Sequence, residues 1–194
     1  MSELQETIDV IKRRYKQAKD ANLEHFTRFY NISLFILIMD YDMSVLSQYY
    51  VRAYPRDWER KFIARQMAVL LYEMSEDIPQ ILGKEFRVSL KTFPLWDEAE
   101  KEINQISKNL NQFKVSHGKM LGELRNYVTA HRDHDAAKQM EIIDNLNSDS
   151  IYKLVGDFYD IVKPLVPFMT RIIRILGNPF VIVHNLSERD THSA

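Results

Sequence analysis

Between Trp58 and Ile81 the apolar residues Trp58, Phe62, Ile63, Met67, Leu70, Leu71, Met74, Ile78 and Ile81 return every three or four positions. Only a helix of 3.6 residues per turn gathers such a series onto one face. The same rhythm runs through Leu4, Ile8, Ile11, Tyr15 and Ala18, through Leu95, Ala99, Ile103, Ile106, Leu110 and Phe113, and through Ile151, Leu154, Val155, Phe158, Val162, Leu165, Phe168, Met169, Ile172 and Leu176. Phe29, Ile32, Leu34, Phe35, Ile36 and Leu37 are apolar on nearly all sides, which suits a helix buried in a bundle. Five glycines in 194 residues argue against a turn-rich β fold. The expectation is an all-α helical bundle of about five to seven helices.

Local signals divide the chain. Pro55 ends the second segment, and Asp57 is placed to cap the helix that follows. Pro79 and Gly83 predict a kink or stop, with Gly83 as a left-handed cap, and then a connector to Pro94. Gly118 and Gly122 predict a bend, Ser148 or Asp149 a new cap, and Pro164 and Pro167 kinks in the last long helix. One domain is expected over 1–194, with N-terminal helices over 1–54, a bundle core over 57–176 and a frayed tail over 185–194.

Composition removes several kinds of chemistry. Without cysteine there are no disulfides, zinc-thiolate sites or thiol nucleophiles, and a cytoplasmic location is expected. With 26 basic and 27 acidic residues there is no global pull on nucleic acid or an anionic membrane, so any RNA contact is local. The run Ile32 to Met39 is too short to span a bilayer, and no membrane segment is expected. Walker, dinucleotide, zincin and nucleophile-elbow motifs are absent.

The site candidate lies in Leu124-Arg125-Asn126-Tyr127-Val128-Thr129-Ala130-His131-Arg132-Asp133. A guanidinium grips phosphate through paired donors, and an imidazole moves protons near neutral pH. In a straight helix six residues leave Arg125 and His131 about 120° apart around the axis. A joint site then needs the arginine to wrap round, the helix to bend, or a second subunit to complete it. His131 also falls on the apolar stripe of its segment, where a packed structural histidine would sit.

Arg125-Asn126 followed by Ala130-His131 resembles the Arg-x4-6-His motif of the HEPN superfamily, with wording similar to its abortive-infection members. The resemblance covers about Trp58 to Leu176. It implies a homodimeric, metal-independent endoribonuclease of a toxin or phage-defence system, in which a ribose 2'-hydroxyl attacks the adjacent phosphate. Arg125 and His131 would be catalytic, Asn126 and Arg132 substrate-binding, and no metal or cofactor would be required. RNA or a nucleotide is the implied ligand, and an antitoxin or other regulatory protein a partner. The branch silenced by nucleotidyltransferase antitoxins carries a tyrosine two positions after the histidine, where this chain has Asp133. The alternative within the same resemblance is a catalytically silent module that binds a nucleotide, RNA or a partner protein.

Two further groups carry weaker signals. His131, His134 and Asp135 share one side of a helix and could hold a divalent cation, although a solvated helix end with an ion pair to Arg132 or Lys138 is the more usual explanation of such a group. Arg52, Arg56, Arg60, Lys61 and Arg65 could line a phosphate track, but Asp57 and Glu59 are interleaved and Trp58 and Phe62 stand at core spacing, which points to an ion-paired face over buried aromatics. The apolar stripes are wide enough to predict a homodimer.

Overall fold

A computed structural model describes residues 2–91, 96–129 and 135–176. Among these the chain is helical throughout its regular structure and contains no strand, so the protein is an all-α bundle. Its helices are α1 (Ser2–Asp20), α2 (Glu24–Arg52), α3 (Asp57–Ile81), α4 (Lys84–Leu90), α5 (Trp96–Glu123), α6 (Ala136–Asp144), α7 (Ser148–Val162) and α8 (Leu165–Leu176). Leu124–Thr129 continues α5 as a π-helical turn.

Helix α3 is the axis of the bundle, packed against α2, α5, α7 and the π turn, while α1 and α8 lie on α2. Its Ala64, Met67, Ala68, Leu71, Met74 and Ile78 are buried, as the three-four spacing requires. They meet Ile103, Ile106 and Leu110 of α5 and Leu154 and Phe158 of α7 in one continuous core. Edge-to-face rings join its parts, Phe29 to Phe86 at 5.2 Å between centroids and Phe113 to Phe158 at 5.0 Å. Buried Ser33 and Ser75 donate to carbonyls of their own helices, at Phe29 and Tyr72, so neither hydroxyl is left unsatisfied.

Several local expectations are corrected. Trp58 and Phe62 are 56% and 51% exposed, although they stand at core spacing: the α3 core stripe closes only from Ala64 onward, where α5 and α7 lie over it. Arg56, not Asp57, holds the N-cap position of α3. Pro79 lies inside α3, which continues to Ile81. No glycine among the described residues has positive φ, and Gly83 instead precedes α4, a short helix inside the expected connector. A Cβ on Gly83 would stand 2.7 Å from the Gln80 carbonyl oxygen, so close backbone approach explains that glycine. Helix α5 passes through Gly118 and Gly122 unbroken. At Gly122 an added Cβ would lie 3.2 Å from the Tyr72 ring, so the missing side chain is what lets α3 come close. Asn147 caps α7, accepting from the Ser150 amide, and α7 ends before Pro164 instead of kinking through it.

Helix α2 is continuous over 29 residues and, by length and composition, apolar enough to cross a membrane, with 28% of its most apolar window buried. The eight-residue run seen in the sequence therefore understates this helix. In the folded protein it carries Asp40, which accepts a 2.6 Å hydrogen bond from the Tyr159 hydroxyl. Burial and this carboxylate push the Tyr159 phenol well above its ordinary value.

Candidate active site

Arg125 stands in the π-helical turn at the end of α5, where hydrogen bonds reach from i to i+5 and the backbone is wider than in an α-helix. Its Nε donates to Glu73 Oε1 at 2.5 Å, and its Nη1 donates to Asn126 Oδ1 at 3.2 Å. The guanidinium carbon lies 5.4 Å from the centroid of the Tyr72 ring. Glu73 and Tyr72 are neighbours on α3, and Gly122, one turn before Arg125, admits the tyrosine ring. Three side chains, two of them on α3, thus fix one guanidinium. The bond to Glu73 and its negative charge raise the Arg125 pKa further, so the group is a permanent cation. Of its five N–H donors, the two described bonds use two.

The surroundings on α3 are acidic. Glu76 accepts from Lys114 Nζ at 2.7 Å. Asp77 has its carboxyl pushed upward by burial and by the charges of Glu73 and Glu76. On the other side of the π turn, Met120, Glu123 and Leu124 form one wall of an open cleft of about 620 Å³, faced by Lys138 and Ile142 of α6 and by Ser150 of α7. Arg125 therefore sits beside the acidic face, one residue on from Leu124 in the wall of that cleft.

Asn126 is beside Arg125 and accepts from it, as a residue that orients the guanidinium would. His131, Arg132, Asp133 and His134 lie outside the described residues. Asp135 is described, and its side chain accepts from the Lys138 amide as the N-cap of α6. No group of three or more metal-ligating side chains occurs among the described residues. Sequence reasoning missed Glu73 and Tyr72: Glu73 is 52 residues from Arg125, and nothing local marks it.

The basic cluster forms a second arginine-centred site. Arg60 donates to the Tyr50 hydroxyl at 2.6 Å and to the Asp149 carboxylate, and Tyr50 also donates to Asp149 at 2.8 Å. The Arg60 guanidinium lies 4.5 Å from the Tyr50 ring and 5.6 Å from the Tyr54 ring, and Tyr50 stacks on Tyr152 at 4.7 Å. The bonds from Tyr50 and Arg60 hold the Asp149 carboxyl below its ordinary value. This cluster locks α2, α3 and α7 together.

A Ser–His contact elsewhere is also structural. Ser89 accepts from Arg28 at 3.0 Å and lies 3.2 Å from His25 Nδ1, but it is fully buried and unreachable by a substrate. No family model, curated protein or solved structure matches this chain, so the HEPN resemblance rests on its own residues.

Proposed function

We propose that the protein is a metal-independent endoribonuclease of a toxin or phage-defence system, acting as a homodimer with Arg125 and His131 as its catalytic pair. The observation that supports this reading most is the fixed guanidinium of Arg125. Glu73 and Tyr72 orient it from α3, Asn126 from its own turn, and the remaining donors are available to a phosphate. π-helical turns of this kind are frequent at functional sites.

In this reading His131 takes the proton of a ribose 2'-hydroxyl as its oxygen attacks the adjacent phosphorus. Arg125 stabilises the added negative charge of the phosphorane, and the 5'-oxygen leaves with a proton returned by an imidazole. The products are a 2',3'-cyclic phosphate and a 5'-hydroxyl. Asn126 and Arg132 hold the substrate strand.

The test is RNA cleavage by the purified full chain in EDTA, with end-group analysis of the products. Cleavage that persists in EDTA, leaves cyclic phosphate ends and is lost in His131→Ala supports the reading. Activity that vanishes with EDTA and returns with Mn²⁺ overturns it.

The silent-module reading draws on a specific observation too, since Glu73 already supplies a carboxylate to the guanidinium that would otherwise take a phosphate. Its signature is nucleotide or RNA binding with no cleavage under any condition.

A further inference from the structure

The largest unexplained surface is the outer face that α2 and α3 share. Along α2, Phe35, Ile38, Asp42, Val45, Tyr49 and Arg52 recur at steps of three and four, and along α3 the stripe is Trp58, Phe62, Gln66, Val69, Glu73 and Asp77. Such seams are what one helix pair presents to another. Ile38, Tyr49, Trp58 and Phe62 are exposed here, and between the helices runs a groove of about 630 Å³. From Trp58 to Asp77 the stripe is about 28 Å long. Two helices side by side make a patch on the order of 500 Å² in projection, and side-chain relief brings it toward the about 800 Å² per partner of a stable interface.

The two ends of this face differ in charge and shape. One end has protruding aromatics and Arg52; the other has a groove floored by Phe35 and Val69 and rimmed by Glu73 and Asp77. Arg52 and Asp77 have no ion-pair partner among the described residues, and the like charges of Glu73 and Glu76 already penalise the Asp77 carboxylate. Trp, Tyr, Phe and Arg are also the residues that dominate protein interfaces.

We propose that this face is self-complementary, the α2–α3 pair of one copy packing antiparallel on the α2–α3 pair of a second copy about a two-fold axis near Arg65 and Gln66. Centred there, residues equidistant from the axis meet: Phe62 enters the partner groove at the level of Val69, Trp58 reaches the level of Glu73, and Arg52 approaches the Asp77 end. Each contact is made twice, as two-fold symmetry demands. The inference rests on the homodimer of the proposed function and names the surface that forms it. A single-stranded nucleic acid suits the face less well, because Asp42, Glu73 and Asp77 line the groove. A membrane suits it less well too, because Asp40 and Asp42 lie midway along α2.

Light scattering on the full chain tests this, with circular dichroism as the folding control. The wild type should run at twice 23.0 kDa, and Phe62→Asp, a change at an exposed position, should shift it to monomer with the melting profile of a folded bundle. Arg52→Glu should weaken the dimer at least tenfold, and adding Asp77→Arg should restore it, a rescue that a merely structural role for either residue would not produce. A monomeric wild type at tens of micromolar, a dimer indifferent to Phe62→Asp, or failure of the double charge swap overturns the proposal. So does quenching of Trp58 emission by a labelled oligouridine, or flotation with anionic vesicles, without self-association. RNA cleavage is scored separately: a dimer through another face that still cuts RNA removes this inference alone, and a dimer through this face that never cuts removes the nuclease alone.

Discussion

Arg60 and Arg125 are each held by a carboxylate and an aromatic ring from other helices, Arg60 by Asp149 and Tyr50 and Arg125 by Glu73 and Tyr72, yet they belong to different kinds of site. Arg60 sits among Tyr50, Tyr54 and Asp149 with its side chain 17% exposed, and its Nε is buried without a hydrogen-bond partner. Arg125 has one carboxylate, one ring and one amide, and stands beside the acidic residues of α3. The difference lies in exposure: the Arg60 side chain is 17% exposed within a junction of three helices, whereas that of Arg125 is 30% exposed at the end of α5. An arginine in a cluster is therefore a better site candidate where solvent still reaches its guanidinium.

The comparison breaks most sharply under alanine substitution. Arg125→Ala should lower cleavage by about 10²–10³-fold, the size seen when a donor to a developing oxyanion is lost, and His131→Ala by about 10²–10⁴-fold. Melting temperature should stay within a degree or two in Arg125→Ala, because its ion pair is solvent-screened, with side chains 30% and 36% exposed. If Arg125→Ala instead lowers the melting temperature as Arg60→Ala does and leaves cleavage intact, the two arginines are alike and the distinction fails.

Arg60→Ala should do the reverse, costing on the order of 2 kcal/mol of stability through the lost charged hydrogen bonds and cation–π contact. Thermal denaturation should then shift down by about 4–8 °C, with the remaining folded protein cutting RNA at the wild-type rate.

A smaller effect should follow from Gly122→Ala. The new Cβ presses on Tyr72, which must yield by a few tenths of an ångström beneath the Arg125 guanidinium. Cleavage should fall a few-fold with KM nearly unchanged, since the guanidinium is displaced and not removed. A rate equal to wild type would mean that Tyr72 does not position Arg125.

The smallest effect is a pH dependence confined to the Arg60 cluster. Because the folded Asp149 carboxyl titrates below its ordinary value, its stabilising effect is complete above the unfolded pKa of about 3.9 and is lost as pH falls through the lower folded value. The melting temperature of the wild type should exceed that of Asp149→Asn at pH 7, and the gap should close as pH falls below about 4. A gap that persists at the acid end would assign Asp149 a packing role instead of an electrostatic one.

Helix identity was legible because burial on one face imposes a three-four rhythm, which α1, α3, α5, α7 and α8 carry, while α2 was legible from being apolar on nearly all sides. Whether a position on that rhythm is covered was not legible, as Trp58 and Phe62 show: periodicity fixes a direction around an axis, and coverage depends on which helix arrives there. Glycine signals misled for a related reason. Gly83 and Gly122 are explained by close approach to Gln80 and Tyr72, and at Gly122 the neighbour lies on a different helix. For the site, residue chemistry pointed to Arg125 and the motif resemblance added Asn126, but the partners of Arg125 on α3 come from tertiary packing. The expectations for His131, Arg132 and His134 fall outside the described residues.

The π-helical turn at Leu124–Thr129 also sets a register. Such a turn holds one residue more than α-helical winding would place there, so deleting Val128 would let the segment close as ordinary helix. The turn absorbs that residue within a single widened winding, so its loss would leave the helix register on either side in step while shortening the sequence separation of Arg125 and His131 from six to five. A single codon in this turn thus tests whether the pair depends on its spacing along the chain or on the widened backbone itself.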